Sequence, residues 1–199
     1  MLCHSLSDGM MLFAVRVVLV AVAALVGLAA PSGAGAGAVD TPYHDERVTG
    51  ALDLLAAHPE TAELRQVLDA NRVGVQFTPM APGLYARYSV QRRIIEIDSR
   101  WAEAEPETLA AVLAHEATHA QDAVNGYLAS GGATACIDSE VRAFRTSARF
   151  WLATFGPDGK PAVTSDLERQ LNLIAQRQAF DPASLDSVVR QTYTGQCAH

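Results

Sequence analysis

Residues 110–126 read AAVLAHEATHAQDAVNG, and they limit the architecture of the chain more than any other stretch. Within this helix-forming run stand His115-Glu116-Ala117-Thr118-His119. On an α-helix, residues four apart lie on one face, a turn apart, so both imidazoles can point at a single cation. Glu116 sits just round the helix, where its carboxylate can serve as general base toward a metal-bound water. Catalytic Zn²⁺ takes three protein ligands and keeps one position open for water. The motif supplies two. The fold must therefore return a third ligand to this helix.

Glu140 is the residue expected to do so. It lies 21 residues after His119, in Ser139-Glu140-Val141-Arg142-Ala143-Phe144. A helix, a loop and an antiparallel helix of these lengths can bring its carboxylate opposite His115 and His119. Asp138 is a rival, but a position two residues earlier on a helix points off that face. Six residues past the motif, where other metal-peptidase patterns place His or Asp, stands Asn125. A structural zinc site would want more cysteines.

HExxH followed after twenty residues by a glutamate resembles the gluzincin metallopeptidases, the thermolysin-like class, over roughly Leu84 to Trp151. The resemblance implies His115, His119 and Glu140 as zinc ligands and Glu116 as the base that activates water against a peptide carbonyl. Four positions after the glutamate ligand, where thermolysin-like enzymes carry a supporting acid, this chain has Phe144. The tyrosine or histidine that contacts the oxyanion in that class has no fixed counterpart; Tyr85, Tyr88, Tyr127 and Tyr193 are the candidates. Asp122, three residues after His119, could orient a histidine, but a helical acid is expected to be solvated or paired with a neighbouring cation.

The N-terminus reads differently from the rest. Residues 12–30, LFAVRVVLVAVAALVGLAA, carry one charge, Arg16, and are followed by Pro31-Ser32 and a tract of Gly and Ala. A basic residue, an apolar core and a small-residue exit make residues 1–38 a secretory signal peptide, with an uncleaved membrane anchor as the alternative. The expected mature chain, 39–199, is one domain, exported and not embedded in a membrane. It keeps Cys136 and Cys197, which an oxidising compartment should join. Such a bond closes a loop of about 60 residues, with a model stabilisation of about 4 kcal/mol. A net charge of −7 and the absence of any basic run argue against a nucleic-acid partner.

Taken in order, residues 43–57 and 60–71 have helical apolar spacing, with His58 between them read as a helix-end residue rather than a ligand. The period then shortens. Val73–Phe77, Leu84–Val90 and Ile94–Asp98 are β-rich runs, expected to form a small, mostly antiparallel sheet whose last two runs make a hairpin. One of its strands either serves as scaffold alone or edges the cleft and pairs with an extended peptide. Tyr127 to Thr134 reads as a loop around Gly131-Gly132, bordering the substrate channel or merely connecting. Helices are expected over 135–155 with Thr134 as N-cap, from Thr164 or Ser165 to about 178, and over 182–193.

The expected fold class is thus α+β, mostly helical, with a small antiparallel or mixed three-stranded sheet packed on the HExxH helix. The expected function is that of an exported zinc-dependent peptidase acting on peptide or protein substrates. The alternative is a non-catalytic zinc-binding exported module. A further option is that His199, beside Cys197, occupies the open zinc position.

Overall fold

The computed structural model describes residues 45–198, so the signal-peptide reading of 1–38 and the proposed role of His199 fall outside the described residues. Seven α-helices and a three-stranded mixed sheet make up this part, which is the expected α+β class. The N-terminal pair is α1 (Glu46–Ala57) and α2 (Ala62–Ala70). The Asp45 side chain accepts the Arg47 N–H and starts α1, while His58 ends it and rests edge-on against Phe150. His58 is a helix-end residue, as its sequence context suggests.

The strands are β1 (Gly74–Thr78), β2 (Ala86–Ser89) and β3 (Ile94–Asp98). The hairpin forms: β2 lies antiparallel to β3, with Ala86 opposite Ile97 and Tyr88 opposite Ile95. The expectation of a mostly antiparallel sheet needs correction, because β1 lies parallel to β3 on its other side, giving the order β1-β3-β2. Alternation along β3 sends Ile95 and Ile97 into the core and Glu96 to the other face, where Arg87 and Arg92 pair with it.

A short 3₁₀ turn (Ser99–Trp101) leads to α3 (Pro106–Val124), the HExxH helix. Pro106 opens it and Gly126, in the left-handed region, follows it. This helix is the centre of the molecule. Fourteen of its nineteen residues are buried, because α1, α2, α5 and β2 all pack on it.

The stretch expected as a loop is largely helical: α4 is the single turn Tyr127–Ser130, and α5 runs from Gly132 to Phe155. Helix α5 therefore begins three residues before the expected start at 135, and Thr134 lies inside it rather than capping it. The glycines make a tight corner instead of a loop. A side chain at Gly131 would strike the Ala135 Cβ at 2.3 Å, and Gly132 takes a φ of +53°. Helix α6 (Asp166–Phe180) is capped by Ser165, and α7 (Pro182–Tyr193) by Asp181. The Cys136–Cys197 disulfide ties the end of the chain to α5, as expected. No helix among the described residues is long and apolar enough to cross a membrane.

Candidate metal centre

Helix α3 places His115 and His119 on one face, their Nε2 atoms 3.2 Å apart. Helix α5 runs back across that face and delivers Glu140. One carboxylate oxygen lies 3.6 Å from His115 Nε2 and the other 3.5 Å from His119 Nε2. All three residues are buried, and one ligand atom from each falls within 4.8 Å of the others. Asp138 points elsewhere, to the Tyr127 hydroxyl and Arg190.

The donor set fits a divalent cation. Both Glu140 oxygens are buried with no hydrogen-bond partner, and so is Glu116 Oε2. A buried carboxylate left in this condition costs several kcal/mol unless a cation compensates it. Burial lowers both imidazoles to about 4, which keeps them neutral and able to ligate at ordinary pH. Burial, and then the nearby Glu140 charge, push the Glu116 carboxyl well above its usual range, against the pull of the Tyr88 N–H. A dication among these groups would reverse that balance. Two neutral nitrogens and a carboxylate make a donor set for a divalent metal ion.

Support for the ligands comes from residues that sequence reasoning ranked low or passed over. His119 Nδ1 lies 2.8 Å from the Ser139 hydroxyl, which is 2.5 Å from Asp122 Oδ2. The expectation of a solvated Asp122 is half corrected: it pairs with Arg142 at 2.8 Å, but it is buried and serves the site through Ser139. Phe144, where the gluzincin pattern has an acid, stands edge-on to the His115 ring at a centroid distance of 4.7 Å. It holds that imidazole by packing instead of by charge.

Glu116 is fixed from the sheet. The Asp98 N–H bonds the Tyr85 carbonyl, so alternation along the antiparallel pair turns the backbone groups of Ala86 and Tyr88 away from β3. The Tyr88 N–H faces the Glu116 carboxylate and favours its charged form. Ala86 lines a pocket beside Glu116 and His115. The four tyrosines now separate. Tyr85 lines that pocket, Tyr88 acts through its backbone, and Tyr127 stacks on Arg142. Tyr193 is buried against Phe144, its hydroxyl has no hydrogen-bond partner, and it feels both Glu140 and Glu116. Comparison of the chain with protein-family models, with curated proteins and with solved structures gives no match.

Proposed function

We propose that this protein is an exported zinc-dependent peptidase, and that His115, His119 and Glu140 hold the ion. The observation that carries this reading is a buried His-His-Glu cluster with an unpartnered carboxylate oxygen of Glu116 beside it. A structural site has no use for such a base. When bound, Zn²⁺ supplies Lewis-acid polarisation of a carbonyl and makes water a stronger acid.

The chain's own residues do the rest. Glu116 Oε2 takes a proton from the attacking water and returns it to the leaving nitrogen. The Tyr88 N–H favours the charged form of that carboxylate, the form a base needs. The outward-turned backbone groups of Ala86 hydrogen-bond an extended peptide along β2. Tyr193, the buried hydroxyl with no partner of its own, donates to the oxygen on which negative charge develops. The Asp122–Ser139 pair holds the His119 ring in orientation.

The test is zinc content and cleavage of a broad peptide library, wild type beside Glu116→Gln. The expected result is one zinc per chain in both proteins and loss of at least about a hundredfold in turnover in the variant. One zinc per chain with no turnover by clean wild-type protein would replace this reading with that of a zinc-binding module.

A further inference from the structure

The fold gathers positive charge that the sequence spreads out. From Ala70 to Ile95 the chain has no acidic residue and four arginines, Arg72, Arg87, Arg92 and Arg93, although its net charge is −7. The parallel pairing of β1 with β3 starts both strands at one end of the sheet, where the Gly74 N–H bonds the Arg93 carbonyl at 2.8 Å. Arg72, just before β1, thus stands at the same corner as Arg92 and Arg93 in the β2–β3 turn. Arg87 joins them from β2. It and Arg92 share the one buried carboxylate of Glu96, at 2.6 and 2.8 Å. Two cations on one acid leave an excess of positive charge, and neither Arg72 nor Arg93 has an ion-pair partner among the described residues. Both are exposed. They are also the two described residues other than glycine with positive φ, +51° at Arg72 and +52° at Arg93. Glycine or asparagine would take that backbone at lower cost, so arginine at both places gives up some stability for charge.

We infer that this corner of the sheet is a docking surface for an anionic phospholipid membrane, with the guanidinium groups on the phosphodiester headgroups and Val90 entering among them. Shape and chemistry together favour a bilayer over other anions. Residues 90–93 form an exposed hairpin tip, and Val90 within it is 39% exposed, two residues from Arg92. A tip with cations around an apolar side chain suits an interface that is charged outside and apolar just beneath. The acids on the rest of the molecule do not prevent this contact, because at 0.1 M salt exposed charges more than about 10 Å apart are largely screened from each other. The association is peripheral: the domain lies on the membrane and does not enter it. It holds whether or not the protein is a peptidase.

The test is co-sedimentation of the full chain with vesicles of phosphatidylcholine, alone or mixed with about 30% phosphatidylglycerol, in about 0.1 M salt. The expected result is binding at least about tenfold tighter to the anionic vesicles, with that difference lost at about 0.5 M salt. Arg72→Gly with Arg93→Gly should weaken binding at least about tenfold, at about fivefold for each cation removed. The melting temperature of this variant should be no lower than that of the wild type, since glycine relaxes both backbones; a general loss of structure would lower it. Val90→Ser should weaken binding by about threefold. Arg149→Glu with Arg177→Glu makes the chain more acidic still, but on α5 and α6, and should change binding by less than about twofold. Equal association with both vesicles, or binding unmoved by the change at Arg72 and Arg93, overturns the inference. So does an equal loss from the change at Arg149 and Arg177, which would make net charge alone the cause. Binding of polyglutamate or inorganic phosphate that depends on Arg72 and Arg93, with anionic vesicles left unbound, also overturns it.

Discussion

The Asp122 carboxylate reaches His119 only through the Ser139 hydroxyl, which stands 2.5 Å from the acid and 2.8 Å from the imidazole. The two ends of this relay lie on α3 and its middle on α5, so it forms only when the helices are docked. Ser139→Ala should lower zinc affinity about tenfold while leaving the fold intact, because it removes the group that fixes the ring. Asp122→Asn should do less, since its amide can still meet the hydroxyl. Competitive chelator titration measures both.

Tyr193→Phe should separate activity from stability. Losing one donor to the developing oxyanion costs about a hundredfold in turnover. Removing a buried hydroxyl that has no partner should raise stability, by about 1 kcal/mol. Zinc affinity should not change. A melting curve, a chelator titration and a kcat measurement on one preparation check all three.

Glu168 sets an acid limit that has nothing to do with the metal. Burial alone would raise its carboxyl, but Lys160 and the Thr164 N–H and hydroxyl outweigh this and hold it at about 2. A depressed carboxyl stabilises the fold in full above its ordinary value of 4.5, and this contribution is lost as pH falls from there through 2. Glu168→Gln should therefore cost about 3 kcal/mol at neutral pH and flatten the acid side of the stability curve. Urea unfolding across pH, with metal removed from both proteins, gives the comparison.

The disulfide joins two residues that each lie one helical turn from the site. Cys136 is four residues before Glu140 on α5, and the Cys197 N–H bonds the Tyr193 carbonyl at 2.9 Å. Cys136→Ser with Cys197→Ser should lose about 2–4 kcal/mol of stability. Turnover should fall further than zinc affinity, because α7 carries the hydroxyl while α3 and α5 carry the ligands. Activity and chelator titration before and after reduction of the wild type provide the same test without mutation.

Much of this site is legible along the chain. Four-residue spacing puts His115 and His119 on one helical face whatever surrounds them, and the distance to Glu140 suits a return helix. The end helices are announced by Ser165, Pro182 and their apolar stripes. The parallel pairing of β1 is not, since alternation along a strand says which face is buried and nothing about direction. Gly131-Gly132 reads as a loop because glycine weakens helices, yet it makes a corner between two of them. Ser139 carries no signal as a lone serine, and Asp122 looks like any helical acid until α5 covers it. Nothing local distinguishes Tyr193 from the other tyrosines; only the closing of α7 onto α5 selects it.

Helix α3 is enclosed on almost every side, and this bears on how long an ion would stay. A cation held by a surface helix escapes whenever that helix frays. Here both imidazoles sit in the middle of a helix packed by α1, α2, α5 and β2, so fraying of its ends does not let the ion go. Metal loss should then be insensitive to changes that loosen only the ends of α3.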